Sequence, residues 1–517
     1  ESADSKASGT AAQNIEESST AAAADTGMAS GSYSETNVRQ EGVDEGDTAK
    51  TDGTYLYVLK DKSDQIAIID TRDNRMKQTA TITVKDVSEI QEMYLDIERN
   101  QLIAVCDGYV GGKWNDDDYG YGQKVNTTAV TYDISDRADP KEVGRVSQSG
   151  YYNSSRIADG YLYLFSDYYV TLDGITAKNP KSYIPLVNDN LIKETDICLP
   201  SISKADMYSI ITSVSLENPD ETAHSKAFLA DGGNLYVSSN NIYFYENVWQ
   251  YSGKDVTTIR KVSYESGKLT AGAQCKIDGY INDSFSIDEY DGYLRVVVTD
   301  GDTNSVYVLD QELKEIGSIK GLAEDERVYS ARFMGKTGYF VTFKETDPLF
   351  SVDLSDPKNP KIIGALKIPG FSDYLHPYGK NKLLGIGMNV DEKTMSTDGV
   401  KLTMFDISDP ENVKEEQTYV IENVYYTDVS YDYKAALVDA EKNLIGFAAD
   451  SEGGREYYTF SYDEKQGFTC TMHEEINGNN MRITRGIYIE DTLYVIQENI
   501  IEAYSLKDFK KVDDIIL

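Results

Sequence analysis

A phrase recurs along this 517-residue chain and limits its fold more than any other feature. It consists of a tight turn, a short run rich in Tyr, Val and Leu, a polar gap, and a second run ending in an Asp-rich corner. The corners read Asp133-Ile134-Ser135-Asp136, Asp353-Leu354-Ser355-Asp356-Pro357 and Asp406-Ile407-Ser408-Asp409-Pro410. Self-similarity over tens of residues means that one supersecondary unit has been copied, each copy burying its faces only against its neighbours.

The second strand of each copy reads at 55–58, 102–105, 161–164, 242–245, 293–296, 339–341, 383–386, 444–447 and 493–496. The mean repeat is about 55 residues, the length of a four-stranded blade with generous loops. These runs are apolar at consecutive positions, as a strand covered on both faces requires. The next runs, at 66–69, 129–132, 306–309 and 402–405, behave alike. A last run, 141–146, mixes charge with apolar residues, which suits an outer edge that must resist pairing with other chains. Tyr is abundant, at 40 residues, while stripes of helical period are lacking. The expected fold is all-β: a β-propeller of four-stranded antiparallel blades, eight or nine in number. Nine copies can be counted; eight result if one copy supplies closing strands or if the third and fourth share a sheet.

Asp52-Gly53, Asp159-Gly160, Asp231-Gly232 and Asp291-Gly292 stand before second strands, where a tight hairpin needs residues tolerant of positive φ. Asp139-Pro140, Asp356-Pro357, Asn359-Pro360 and Asp409-Pro410 mark the corner before the outer strand. These aspartates read as structural punctuation rather than catalytic groups. Two copies carry long insertions, at 109–127 and about 173–206, and these are where a partner would be met.

A formal charge of −37 and a pI near 4.4 argue against nucleic-acid partners and anionic lipid surfaces, both of which need Lys and Arg. The acidity favours solubility and mutual repulsion, hence a monomer. Cys106, Cys198, Cys275 and Cys470 show no zinc spacing. Free core thiols fit them, and so does a Cys106–Cys198 disulfide, which only a distance could decide. No apolar run of about eighteen residues occurs, so no membrane span is expected. Residues 1–33 are a Ser, Ala, Thr, Gly and acid mixture too poor in apolar groups to fold. They read as a disordered leader following a removed export signal, on an exported, cell-surface and lipid-anchored or freely secreted protein. Residues 34–517 form the propeller.

Ala331-Arg332-Phe333-Met334-Gly335, the run 339–343, the run 346–350 and Ile368-Pro369-Gly370-Phe371-Ser372-Asp373-Tyr374-Leu375-His376-Pro377-Tyr378 form a distinctive stretch. Together with Glu41-Gly42-Val43-Asp44-Glu45-Gly46-Asp47 leading to Lys50-Thr51-Asp52-Gly53, it resembles the family of secreted bacterial and archaeal proteins with a C-terminal β-propeller domain. The resemblance covers about residues 34–517. It implies a propeller and export, and brings no agreed reaction, cofactor or catalytic residue.

With His224, His376 and His473 as the only histidines and no G-x-S-x-G elbow, a catalytic triad has little material. His376 lies before a second strand, hence near the central channel; Arg332 and Asp347 join it as the best candidate catalytic constellation. A hydrogen-bonded His fixing a Pro-containing turn is the plainer reading. Asp44, Glu45 and Asp47, with Glu41, could supply oxygen ligands to Ca²⁺, as could Asp116, Asp117 and Asp118, but neither set matches an EF-hand loop, and solvated acidic turns are expected. Asp44 and Glu45 could instead pair with Lys or Arg to seal the first blade. No other cofactor is implied. Trp114, Tyr119, Tyr121, Trp249 and Tyr374 are candidate binding aromatics, with Tyr109 and Tyr251 beside the loop members.

The resulting expectation is an exported propeller acting as a non-catalytic binding or scaffold protein for a protein, peptide or glycan. The alternative is an extracellular hydrolase or lyase acting on glycan or peptide at the channel mouth.

Overall fold

The computed structural model describes residues 32–517 apart from 61–63, 73–74, 110–124, 171–177, 200–206, 231–232, 249–254, 344–346, 369, 391–395 and 477–482. Their strands form nine sheets in chain order, each built on four antiparallel strands, a nine-bladed propeller with almost no helix. Blade 1 shows the pattern: an inner strand Ala49–Thr51, a second strand Tyr55–Leu59, a third strand Gln65–Asp70 and an outer strand Lys77–Thr83. Blade 9 is built the same way from Arg485–Ile489, Thr492–Ile496, Ile500–Ser505 and Lys511–Ile516. All nine second-strand runs read from the sequence occupy second strands. The count is nine because blades 3 and 4 are separate sheets and no copy is used up in closing the ring.

Nine buried hydrophobic clusters each fill one blade-to-blade interface. Between blades 1 and 2, Tyr57, Ile66 and Ile68 meet Met93, Leu102 and Ala104; between blades 9 and 1, Ile487, Tyr494 and Ile501 meet Leu56, Val58 and Ile69. Burying one such side chain contributes about 1.5–3 kcal/mol. A blade alone would expose both of its clusters, which is why the copies fold only as an array.

Strand direction alternates, so connections sort onto two faces. Links from inner to second strand and from third to outer strand emerge on one, the corner face. Here Asp159 and Gly160 (φ 52° and 77°) and Asp291 and Gly292 (φ 53° and 77°) make the positive-φ hairpins that Asp-Gly predicts. The Asp-rich corners are Asx turns: Asp133, Asp353 and Asp406 accept from the backbone N–H of Ser135, Ser355 and Ser408 at 2.8–2.9 Å. Asp231-Gly232 lies outside the described residues, and it precedes the inner strand Asn234–Val237 rather than a second strand.

The opposite, loop face carries the links from second to third strand and from each outer strand to the next blade. Both insertions depart from it. Part of the insertion in blade 3 runs out over the rim, where Val187 pairs antiparallel with Gln148 of the outer strand of blade 2. Further on, Ile197 and Cys198 pair in parallel with Ala227 and Phe228 on the outer strand of blade 3. It thus covers two edges that would otherwise offer open hydrogen bonds. The four cysteines are free thiols.

Candidate functional site

The segment from Tyr33 to Thr48 threads the central channel and touches eight of the nine inner strands or their extensions. Tyr33 bridges Ile489 of blade 9. Asn37 Nδ2 donates to Tyr374 Oη (2.8 Å, blade 7) and to the Tyr433 carbonyl (2.9 Å, blade 8). Arg39 donates to the carbonyls of Ser284 (2.9 Å) and Ile287 (2.8 Å) at blade 5, and Gln40 Oε1 accepts from Tyr236 Oη of blade 4 (3.1 Å). The chain then reverses through a turn closed by Val43 N–H to the Gln40 carbonyl (3.2 Å), with Gly42 at φ 78°, where a side chain would be strained. Asp44 exchanges two backbone bonds with Ile157 of blade 3 (2.8 and 3.0 Å), and Asp47 two with Met93 of blade 2 (3.1 and 3.0 Å), before the chain enters blade 1.

This plug is held by charge. Glu45, 1% exposed, accepts from the Arg39 backbone N–H (2.9 Å) and from the Tyr433 hydroxyl, and faces Arg156 at 3.7 Å and Lys434 at 3.8 Å. Burial alone would raise its pKa; the two cations and two hydrogen bonds outweigh burial and hold it below the usual carboxylate value. Lys434 also meets Glu92 at 3.6 Å, and Glu92 accepts from Tyr94 (3.1 Å) and Ser155. Asp47 takes the Arg485 guanidinium (2.8 Å), which also binds Asp432, and Asp44 pairs with Lys50 (3.1 Å). Gly46 lets the segment pass Glu92: a Cβ there would lie 2.4 Å from its carboxyl carbon. Three of these groups come from an irregularity hidden in the sequence. The inner position of blade 8 is split into Val424–Thr427 and Leu437–Asp439, and the intervening turns push Asp432, Tyr433 and Lys434 into the channel.

Asp44, Glu45 and Asp47 are therefore ion-pair partners within the plug. Among the described residues, no group of three or more His, Cys, Asp or Glu is disposed around a common centre for a metal ion. Asp116, Asp117, Asp118, Trp114, Tyr119, Tyr121 and Trp249 lie outside the described residues; the strands flanking them end on the loop face. Tyr374 is 4% exposed and belongs to the plug, so it offers no ring to a surface ligand.

Arg332 and His376 are brought to the axis on the adjacent inner strands of blades 6 and 7. Asp347 is not. Arg332 pairs with Tyr339 and Tyr339 with Ser351, so Asp347 stands two strands outward and four residues along, about 13 Å further down the strand. Burial, reinforced by the charge of Arg332, pushes the pKa of His376 down to about 3. His376 Nδ1 lies 2.8 Å from Tyr374 Oη, so the ring does fix local structure, though its partner is a Tyr of its own strand.

Side chains not singled out in the sequence gather on the loop face at the start of the inner strands. Tyr426 (47% exposed) and Tyr431 (73%) meet edge to face at 6.2 Å, with Tyr425 beside them. Tyr329 and Phe371 pack at 4.9 Å. Between these pairs, burial raises the Asp373 carboxyl to about 6, only partly offset by the Ser430 hydroxyl at 2.9 Å. Their tyrosines sit among many strand tyrosines of like sequence context, so composition alone does not separate them.

An uncharacterised protein of Archaeoglobus fulgidus is 39% identical over 277 residues, covering 53% of this chain, which in turn spans 42% of that relative. An uncharacterised protein of Methanocaldococcus jannaschii is 28% identical over 567 aligned positions, covering 93% of this chain and 83% of its own. Among solved structures, Citrobacter koseri AztD aligns at 12% identity and TM-score 0.40, over 90% of this chain and 94% of that one. A putative 6-phosphogluconolactonase from Bacteroides uniformis aligns at 12% and 0.36, over 61% and 94%. Neither structural likeness carries a functional argument. The model of one family, described as the beta propeller domain, matches residues 33–509, so the propeller is most of the chain rather than a C-terminal part. This chain belongs to the beta propeller domain family.

Proposed function

We propose that the protein is a cell-surface binding or scaffold protein without catalytic activity, whose loop face engages a protein, peptide or glycan. The observation that carries this reading is the plug: the channel, the natural place for a propeller's catalytic pocket, is threaded by Tyr33 to Thr48 and its ion pairs. A hydrolase or lyase at the channel mouth would need an acid and a base around one reacting bond. His376 is a poor base, and Asp347 is two strands away. The loop face instead presents the exposed Tyr425, Tyr426 and Tyr431, amphipathic rings suited to stacking on a sugar or gripping a peptide. Export is supported by the resemblance to a family of secreted proteins and by an acidic, self-repelling surface.

Glycan and peptide arrays, probed with the wild type and two double variants, test the reading. Tyr426→Ala/Tyr431→Ala should weaken every hit at least about tenfold, or 1.4 kcal/mol. Arg332→Ala/His376→Ala should bind neutral glycans and peptide amides as the wild type does. Turnover of any array compound that disappears with His376→Ala would sink the proposal, and protease treatment of intact cells checks the surface location.

A further inference from the structure

The plug carboxylates Asp44, Glu45 and Asp47 each meet a cation, whereas Arg332, at the axis, meets no carboxylate among the described residues. Among the described residues Arg332 makes no hydrogen bond or ion pair, and its Nη1 is sealed from solvent without a partner. A buried guanidinium left unpaired is costly, so its environment implies an anion that completes it. Around it at blades 5 to 7 stand the guanidiniums of Arg39 and Arg295 and the carboxylates of Asp283, Asp288, Glu289 and Asp373, of which Glu289 accepts from Ser238 and Asn241 and Asp373 from Ser430. Asp288 is occupied by Arg295 and by Arg39 at 3.6 Å, and Asp283 caps the backbone N–H groups of Phe285 and Ser286 at 2.8 and 3.1 Å. Arg39 and Arg332 both lie over the ring of Phe285, at 5.0 and 5.1 Å.

The neighbouring donor is His376. The Tyr374 hydroxyl accepts from Asn37 Nδ2 (2.8 Å), and its own proton has no acceptor among the described residues except His376 Nδ1 (2.8 Å). That bond places the ring proton on Nε2, which has no partner among the described residues. Unlike Tyr374 and Glu45, both Arg332 and His376 keep part of their surface accessible. The threading segment makes no bond with the inner strand of blade 6, so this sector is its one uncovered side among the described residues.

We propose that Arg332 and the His376 Nε2–H form a binding site for a small carboxylate at the axial side of blades 6 and 7. A planar carboxylate can take two guanidinium N–H bonds on one oxygen pair while one oxygen also accepts from the imidazole. The site is independent of the loop face: either reading can fail without the other.

The chain has three histidines, so their imidazole ¹⁵N resonances are readable individually, and His376→Gln assigns one of them. In a buffer free of carboxylates, titration with formate or acetate should shift the His376 signals saturably. Arg332→Met, which removes a buried charge and so should still fold, should raise the Kd at least tenfold. Tri-alanine against its C-terminal amide distinguishes a chain terminus from a free acid as the source: both sources keep the site, and a response to the amide equal to that of the acid overturns it. An unchanged His376 signal, an equal response to chloride and formate, or undiminished binding by Arg332→Met each overturns it as well.

Discussion

Replacing Glu45 by Gln tests whether the plug holds the ring together. Gln keeps the shape and can still accept from the Arg39 N–H, but it removes the charge facing Arg156 at 3.7 Å and Lys434 at 3.8 Å. Lys434 retains Glu92 at 3.6 Å, whereas Arg156 keeps, among the described residues, hydrogen bonds to the Ser154 hydroxyl and the Ser155 carbonyl, at 2.7 and 2.6 Å. Breaking a buried pair by removing one partner costs about 3–5 kcal/mol; with one cation still compensated, the lower end, about 3 kcal/mol, is expected. Urea unfolding followed by circular dichroism measures it, with the exposed Glu41→Gln as a control expected within about 0.5 kcal/mol of wild type. The pH dependence adds a second check. Because the Glu45 pKa is lower folded than unfolded, its contribution is complete above about pH 4.5 and fades as pH falls through the folded value. The difference between the variant and wild type should therefore shrink in acid. Should Glu45→Gln cost no more than Glu41→Gln, the channel segment is a passenger and the reasoning fails.

Three further outcomes follow from the same geometry. His376 stays neutral when folded down to about pH 3 while the unfolded chain protonates near 6.5, so stability should fall by about 1 kcal/mol per pH unit as pH drops between those values; His376→Gln, compared with wild type by denaturation in carboxylate-free buffer, should remove that slope. Asp373 behaves oppositely: its folded pKa is raised to about 6, so its relative stabilisation is present below the unfolded value and lost as pH rises through 6. Asp373→Asn should accordingly stabilise the protein by about 1–3 kcal/mol at pH 7.5 and hardly at all at pH 4 in thermal unfolding. Gly46→Ala drives a methyl into the Glu92 carboxyl, itself fixed by Tyr94 and Ser155, and should lower stability by about 1–3 kcal/mol in the same urea assay.

The blades were legible because each encodes itself locally: runs such as 102–105 are apolar on both faces, and Asx turns at Asp133, Asp353 and Asp406 need only residues two positions away. The plug was not, because its partners are remote in sequence. Glu45 meets Tyr433 across 388 residues and Asp47 meets Arg485 across 438, distances over which no periodicity or spacing rule operates. An acidic cluster such as Asp44, Glu45 and Asp47 therefore reads as a solvated turn, with Ca²⁺ and salt bridges as alternatives, until the opposing cations are placed, although Glu45 and Asp47 are buried. Arg332 and His376 share an axis because equivalent strands of adjacent copies are neighbours, a relation the repeats do encode. Asp347 misled because closeness along the chain, across a hairpin, carries it outward to the third strand.

The threading segment also orders events in time. It leaves the ribosome ahead of every blade, yet Lys434, Arg485 and the Tyr488 carbonyl that grips Ser34 arrive only with the last two. Until then Asp47 lacks its counter-charge, Glu45 has Arg156 but not Lys434, and the growing crescent of blades has an open seam. Seating of the strap can thus happen only once translation has delivered the final blade, so a truncated chain would lack the contacts that lock a finished ring.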